Sequence, residues 1–255
     1  MTGHFNCPGE VNAKHLEMVN AKPTPPPWAK DAPAAVGRPN ASDLAAARQA
    51  VREAVAAGDR NSAIEILSRY TELFQENTNF NNVQVHLVDA AGASFVKSWA
   101  PDSFGEEITY TDAFDRVLST GESMVTMEPT PKGLRLMGLF PIIQEGNVIG
   151  VTDFEGGLNS IKRDLKETNT DFLYLISNAR LETAEELSQA PGVGQYTVSQ
   201  RDVDESFIAY LQEHFTYRSA REEYAFDEDY LTVVEPIPDF RGEEVGVYVV
   251  GKPTE

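Results

Sequence analysis

The stretch Gly133–Phe154, GLRLMGLFPIIQEGNVIGVTDF, predicts two antiparallel strands joined by a tight turn. Two apolar runs, Leu134–Ile143 and Val148–Phe154, flank the segment QEGN at residues 144–147. Gly and Asn are typical of turns between neighbouring antiparallel strands, because both residues tolerate the backbone conformations that such turns require. The segment is therefore expected to form the central hairpin of an antiparallel sheet.

Upstream of this hairpin, the sequence predicts further strands and a short helix. Val83–Leu87 alternates apolar and polar residues, and Phe95–Trp99 follows an Ala-Gly turn, which is typical of a second hairpin. Met124–Met127 predicts another strand, and Asp112–Ser119 predicts the short helix. Together with the central hairpin, these segments are expected to form a five-stranded antiparallel sheet.

The residues before the sheet divide into a proline-rich segment and a helical one. Residues 1–41 contain closely spaced prolines and are expected to be an extended leader or linker. Ser42 and Asp43 supply an N-cap before apolar positions at helical spacing, so residues 42–76 are predicted to be helical. The pair Gly58-Asp59 is expected to interrupt or kink this helix.

After the first sheet, the same order of elements is predicted again in shorter form. Apolar residues at helical spacing predict a helix over residues 157–189, and a second helix is expected at Val203–His214. Three strands are then expected near Tyr224–Phe226, Leu231–Val234 and Val245–Val250. The pattern predicts an α+β fold with two modules, residues 42–189 and 190–255, joined by long helices.

Composition excludes several classes of function. The chain has 40 acidic and 21 basic residues, and its formal net charge of -19 would repel nucleic acid. The single cysteine, Cys7, cannot form an intrachain disulfide or a cysteine-based zinc site. Apolar runs such as Val247–Val250 are far shorter than the roughly 18 residues needed to span a bilayer. Residues 1–22 lack the pattern of a secretion signal.

Motifs of the common enzyme classes are absent from the sequence. The chain has no P-loop, no Gly-x-Ser-x-Gly elbow and no His-Glu-x-x-His zinc motif, and Gly192-Val-Gly194 lacks the third glycine of a dinucleotide-binding loop. His4, Cys7 and His15 match no known metal-site spacing, and the acidic turn Asp227–Asp229 lacks the glycine of a calcium loop. We expect a protein that is not an enzyme and that holds no cofactor or metal.

Six segments, taken in order, carry a resemblance to a known family. They are Ala56–Arg60 (AAGDR), Val83–Leu87 (VQVHL), Ser94–Trp99 (SFVKSW), Gly133–Pro141 (GLRLMGLFP), Asn147–Phe154 (NVIGVTDF) and Val234–Gly246 (VEPIPDFRGEEVG). Their order and spacing resemble the double Cache sensor domain of methyl-accepting chemotaxis proteins and related bacterial transmembrane receptors.

The resemblance implies two PAS-like modules, the first of which is distal to the membrane and holds a small molecule between its sheet and the short helix above it. It also implies a periplasmic or extracellular location in an inner-membrane receptor whose membrane segments lie outside this chain. A homodimer and signalling by helix displacement are implied as well. The expected ligand is a carboxylate or an amino-acid-like metabolite. An alternative from another class is a structural or dimerisation module that works without a ligand.

The sequence departs from the pattern of this family at four positions. The pattern has arginines where this chain has Lys97, Thr111 and Met137, and a glutamate where it has Asp153. Because paired arginines make strong carboxylate sites, the loss of two cationic positions makes a dianionic ligand less expected here.

Lys97, Trp99 and Asp153 are the first candidates for a ligand site. Lys97 and Trp99 share a strand face, so the ammonium group could hold a ligand carboxylate while the indole covers its apolar part. Alternatively, Lys97 is a solvated lysine beside a core tryptophan. Asp153 could receive a ligand amine or pair with Lys97; alternatively it is a solvated strand residue or part of a structural ion pair.

Five further residues are candidates for the same site. Tyr110 and Asp112 begin the short helix, where they could close over a ligand. Alternatively, Asp112 is only the N-cap of that helix. His86 points away from its apolar neighbours, either into the pocket or against the long helix, and a hydrogen-bonded core histidine is the alternative. Met137 would give an adaptable apolar wall or belong to the core. Arg135 shares its face and could restore one cation; alternatively it is a solvated arginine at the strand end.

Overall fold

A computed structural model of the chain describes residues 41–77, 83–215 and 224–254. The predicted proline-rich leader lies outside the described residues, except for its last residue, as do His4, Cys7 and His15.

The described residues form five helices and eleven strands. The helices are α1 (Ala41–Ala57), α2 (Arg60–Asn77), α3 (Ala113–Thr120), α4 (Asn159–Lys166) and α5 (Glu205–His214). The first five strands are β1 (Gln84–Asp89), β2 (Ser94–Lys97), β3 (Met124–Thr130), β4 (Gly133–Gln144) and β5 (Asn147–Gly156). The remaining strands are β6 (Asp171–Ser177), β7 (Gly192–Val193), β8 (Tyr196–Val198), β9 (Ala225–Phe226), β10 (Tyr230–Pro238) and β11 (Glu244–Pro253).

The first sheet contains the five strands expected from the sequence, in the order β2-β1-β5-β4-β3, all antiparallel to their neighbours. The central hairpin is confirmed, because Gln144 pairs with Asn147. The two residues between them, Glu145 and Gly146, have positive φ values of 51° and 83°. Turns of this kind match the right-handed twist of the strands they join.

Helices α1 and α2 cover one face of this sheet. Ala54, Ala63 and Leu67 pack in one apolar cluster with Leu87 and Ile142 of the sheet. The expected interruption is confirmed at Gly58, whose φ of 66° is unfavourable for residues with a side chain. After the break, the Arg60 guanidinium donates to the carbonyl oxygens of Phe95, at 2.9 Å, and Pro101, at 2.6 Å. These bonds attach the start of α2 to the segment around β2.

The second sheet contains six strands in the order β7-β8-β6-β11-β10-β9. The two antiparallel sheets confirm the predicted α+β class. The predicted helix over residues 157–189 is wrong, and so is the long helix expected between the modules. The only α-helix there is Asn159–Lys166, with two single 3-10 turns at Asn178–Arg180 and Glu185–Leu187, and Asp171–Ser177 is a central strand of the second sheet. Six of its seven residues are buried, so the run is almost uniformly apolar and shows no alternation.

The turn between β3 and β4 contacts the second sheet and the chain that follows β6. The Leu134 amide donates to Ser199 Oγ at 2.7 Å, and the Glu186 amide donates to the Pro131 carbonyl oxygen at 3.0 Å. Leu134 is fully buried in an apolar cluster that also contains Ile176 and Ile237 of the second sheet. The β3–β4 hairpin therefore contributes to both cores.

Substituting Gly246 with alanine tests this shared packing. A Cβ atom at Gly246 would overlap the Leu175 carbonyl oxygen and lie 2.7 Å from Leu134 Cδ1. We expect Gly246→Ala to lower the free energy of unfolding by about 1–3 kcal/mol, because overpacking forces neighbouring groups to move. Urea denaturation measures the change. Gly156→Ala is the control, since a Cβ there has no atom within 4 Å. Equal stability of the two variants would contradict the expected overlap.

Candidate functional site

The candidate residues of the first sheet lie on the face opposite α1 and α2. Strand register pairs His86 with Lys97 on one side and with Asp153 on the other, and Asp153 with Leu139. Directly paired residues of neighbouring strands project from the same face. His86, Lys97 and Asp153 therefore form one row across the sheet.

A second row of side chains lies beside the first. Gln84, Glu155, Met137 and Thr126 are paired in this order across four strands. Met137 is fully buried and packs with the apolar residues of α3, so it belongs to the core, and its role as a wall of the ligand site stays a prediction. Arg135 Nε lies 3.4 Å from Glu155 Oε1, and its side chain is only 16% exposed. Arg135, for which the sequence favoured a solvated arginine at the strand end, therefore forms a partly buried ion pair with Glu155.

Aromatic side chains from α3 and the segment before it cover this face. The His86 ring lies edge-on to Trp99, with ring centres 5.8 Å apart, and to Phe114, at 5.9 Å. Tyr110 lies edge-on to Phe114 at 6.4 Å. Burial, and then the nearby carboxylates of Glu155 and Asp153, raise the pKa of the Tyr110 phenol. The phenol therefore stays protonated and can donate a hydrogen bond.

Asp153 is the most unusual residue of the site. The residue is fully buried, and neither carboxylate oxygen has a hydrogen-bond partner among the described residues. Burial, reinforced by the Glu155 carboxylate, raises the pKa of Asp153 well above its ordinary value of 3.8. Buried polar groups are almost always hydrogen-bonded, and an unpaired buried carboxylate is costly. The sequence alternative of a pair with Lys97 is not what the structure shows, because Lys97 pairs with Glu106.

His86 lies on the α3 side of the sheet, where it is 1% exposed. Its Nε2 is 2.9 Å from Ser94 Oγ, whereas Nδ1 has no partner within the part of the chain that the structure describes. Burial and the positive charge of Lys97 lower its pKa from 6.5 to about 3. The imidazole is therefore neutral near pH 7 and presents one free ring nitrogen.

Two lysines lie at the edge of the site. Lys97 forms an ion pair with Glu106, and its Nζ is also 3.4 Å from Ser103 Oγ. Lys132, from the β3–β4 turn, places its Nζ 4.1 Å from the centre of the Trp99 ring and 2.9 Å from Gln84 Oε1. Burial lowers the pKa of Lys132.

Asp112 is the one candidate that the structure does not bring onto this face. Its side chain is 62% exposed and forms an ion pair with Arg241 of the β10–β11 turn. Asp112 makes no side-chain hydrogen bond to the helix it precedes. Instead, Thr111 Oγ1 accepts the Ala113 amide hydrogen at 3.1 Å. Asp112 therefore occupies the N-cap position of α3, as expected, but the side-chain hydrogen bond at this end of the helix comes from Thr111.

Sequence reasoning missed Glu155, Lys132 and Glu106. Glu155 follows Asp153 by two residues in one strand, so period-two alternation would have placed both on the same face. Lys132 and Glu106 reach the site from a turn and a loop. No local pattern shows where such segments lie in the folded chain.

Replacing Asp153 with asparagine is expected to stabilise the fold at neutral pH. The folded state favours the protonated carboxyl, so the ionised form costs stability that increases as pH rises above about 3.8. We expect Asp153→Asn to raise the melting temperature by several degrees at pH 7, with the gain vanishing near pH 3.5. The control is Asp89→Asn, because Asp89 Oδ1 already accepts the amides of Ala91 and Ala93. A melting temperature below that of the wild type at pH 7 would be evidence against an unpaired buried charge.

His86 is expected to weaken the fold in acid. Its pKa is lowered in the folded state, so its contribution is complete above about pH 6.5 and is lost as pH falls toward about 3. In this window we expect a loss of up to about 1.4 kcal/mol per pH unit. His86→Gln should flatten that part of the stability curve, and His214→Gln, at the exposed last residue of α5, should not. Proton NMR checks the cause directly: titration of the His86 ring near pH 6.5 contradicts it.

Comparison with known proteins places the chain in a family. A family model described as the double sensory domain of two-component sensor kinase matches residues 40–255. Comparison with the curated proteins gave no match. Among the described residues, none of the helices combines the length and apolar character needed to cross a membrane.

Several solved structures are similar to this chain at low sequence identity. The sensor domain of the V. cholerae histidine kinase DctB is 14% identical, with 97% of this chain and 95% of that chain covered and a TM-score of 0.48. The ligand-binding domain of the Pseudomonas fluorescens chemoreceptor CtaA, solved with L-alanine, is 13% identical, covering 97% and 94%, with a TM-score of 0.38. The ligand-binding domain of Mlp24, solved with asparagine, is 12% identical, covering 84% and 83%, with a TM-score of 0.40.

The order of sequence segments and the two antiparallel sheets agree with the family match, which spans both sheets. This chain belongs to the double Cache family, as a double sensory domain of the kind found in two-component sensor kinases.

Proposed function

We propose that this domain senses a small amino-acid-like molecule, bound through its ammonium group on the face of the first sheet beneath α3. The observation that carries this proposal is Asp153, a fully buried carboxylate whose two oxygens have no hydrogen-bond partner among the described residues. Perturbed, buried ionisable groups concentrate at functional sites.

An ammonium group suits Asp153 in both charge and hydrogen bonding. It carries three N–H donors, and an ionised carboxylate accepts hydrogen bonds on both oxygens. Bonds between charged partners are shorter and stronger than bonds between neutral ones. A ligand ammonium would therefore satisfy the oxygens that the chain leaves unpaired, and His86 Nδ1 offers a further polar atom in the same row.

The remaining side chains suit the rest of such a ligand. Trp99, Tyr110 and Phe114 provide aromatic cover, and Met137 provides an adaptable apolar wall. Lys97 and Lys132 are the cations that would attract a ligand carboxylate. Lys97 is paired with Glu106, so a ligand carboxylate would replace Glu106 as its partner. The proposal leaves Asp112 outside the binding contacts, since it pairs with Arg241.

Family membership supports three further proposals, on location, catalysis and assembly. We propose that the domain is the extracytoplasmic part of a membrane receptor, that it performs no catalysis, and that the full-length receptor is a homodimer. Ligand binding would shift a helix only if the two conformers of the receptor bind the ligand with different affinities.

A thermal-shift screen tests the ligand class. The panel contains L-amino acids, the amines that remain when their carboxylates are removed, and the acids that remain when their amines are removed. We expect amino acids to raise the melting temperature by about 5–10 °C at about 100 times Kd, because ligands that bind only the native state stabilise it. Deaminated acids should have no effect, since they lack the ammonium group that Asp153 requires.

Variants assign the hit to the site. Asp153→Asn should abolish the shift, Lys97→Met should reduce it for amino acids more than for amines, and Asp89→Asn should leave it unchanged. A shift that persists in both Asp153→Asn and Lys97→Met would place the binding site elsewhere in the chain. No shift across the panel, with a dimer that forms without ligand, would favour a ligand-independent dimerisation module.

A further inference from the structure

Another buried carboxylate, Glu128, lies on the same face as Asp153 but differs from it in its hydrogen bonds. Glu128 is in β3, opposite Arg135 of β4, and it is 2% exposed. Its Oε2 accepts a hydrogen bond from Thr111 Oγ1 at 2.8 Å. Its Oε1 accepts from Thr126 Oγ1 at 2.7 Å and from the Phe240 amide at 3.1 Å. The burial of Glu128 is thus compensated by donors from three separate segments.

One of these donors, Thr111, lies at the start of α3. Thr111 Oγ1 donates to Glu128 and accepts the Ala113 amide hydrogen at 3.1 Å. The next residue, Phe114, is 1% exposed and carries the ring that touches His86 and Tyr110. Glu128 therefore holds the end of α3 that covers the proposed ligand site.

Another donor belongs to the second sheet. Phe240 lies in the β10–β11 turn, where Asp239 Oδ1 accepts the amides of Arg241, at 2.8 Å, and Glu243, at 2.9 Å. These bonds make the turn a compact unit. The Phe240 ring packs against the apolar cluster that contains Phe114, and Arg241 pairs with Asp112. The turn thus contacts the start of α3 by a ring, an ion pair and the shared carboxylate.

We infer that Glu128 is a positioning residue that couples the cover of the ligand site to the second sheet, by binding Thr111 and the Phe240 amide with one carboxylate. A displacement of α3 would move the Glu128 side chain, which also binds the β10–β11 turn. A displacement of that turn would likewise affect α3, because coupling between two sites is reciprocal. The inference rests on the proposed function only for the statement that α3 covers a ligand site.

Hydrogen exchange measured on the ligand-free protein tests the coupling. Glu128→Gln keeps the size of the side chain but replaces one acceptor oxygen with a donor, so it cannot accept from all three partners. We expect the Phe240 amide and the amides of residues 113–116 to exchange about tenfold faster, because hydrogen bonds to a charged acceptor are stronger than bonds to a neutral one. Amides of β1, which lies in the same sheet, should change much less.

Two further variants separate coupling from general destabilisation. Arg241→Ala should accelerate exchange at the start of α3 to a smaller extent, since its ion pair with Asp112 is exposed. Arg180→Ala is the matched control: Arg180 Nη2 binds Glu243 Oε2 at 2.8 Å, next to the same turn but without contacting α3 through that bond. Arg180→Ala should leave the amide exchange rates of residues 113–116 unchanged.

The exchange experiment has outcomes that support the coupling and outcomes that overturn it. Faster exchange confined to the turn and the start of α3 supports the coupling. Equal acceleration of all amides in Glu128→Gln, including those of β1, overturns it, because Glu128 would then contribute only to overall stability. Unchanged exchange at either the turn or α3 overturns it as well. No ligand is used, so a failed ligand screen contradicts the proposed function alone, and uniform exchange contradicts this inference alone.

Discussion

The side chains of the first sheet alternate between two faces, and the two faces are covered differently. On one face, α1 and α2 supply apolar cover, and the sheet presents residues such as Leu87 and Ile142 to them. On the other face, the cover is a short helix and a loop, and the sheet presents His86 and Asp153 among apolar residues. A strand has a side-chain period of two, so a single register fixes both faces at once. The row of residues at the proposed ligand site follows from the same register that builds the core.

Much of this architecture could be predicted because it depends on local sequence patterns, namely turn residues and the alternation of apolar and polar residues. The turn at residues 144–147 and the alternation of β1 identified the first sheet, and the strands expected around Lys97 and Asp153 are present in the structure. The error at residues 157–189 has a physical cause. A strand buried on both faces is apolar at nearly every position, so it lacks the alternation that distinguishes a strand from a helix. The strand Asp171–Ser177 is of this kind.

The contacts of the site were less predictable than its strands. Lys132 reaches Trp99 from a turn, and the Phe240 amide reaches Glu128 across 112 residues of sequence. Such contacts depend on how the sheets and loops pack, and no window of sequence contains both partners. Alternation shows which strand residues share a face, whereas the groups above that face are known only once the chain has folded.

Two of the buried carboxylates of this face, Glu128 and Asp153, contrast a structural use of the group with the use that we propose in ligand binding. Glu128 and Asp153 are both nearly inaccessible, and burial raises the pKa of each. Glu128 accepts three hydrogen bonds from the chain, so the fold itself compensates for its burial. Asp153 receives none from the described residues, so its burial weakens the fold unless a molecule from outside supplies the donors. An interaction that the fold does not complete for itself is one that a ligand can complete, and a conformer that holds Asp153 in this position would then bind the proposed ligand more tightly than a conformer that does not.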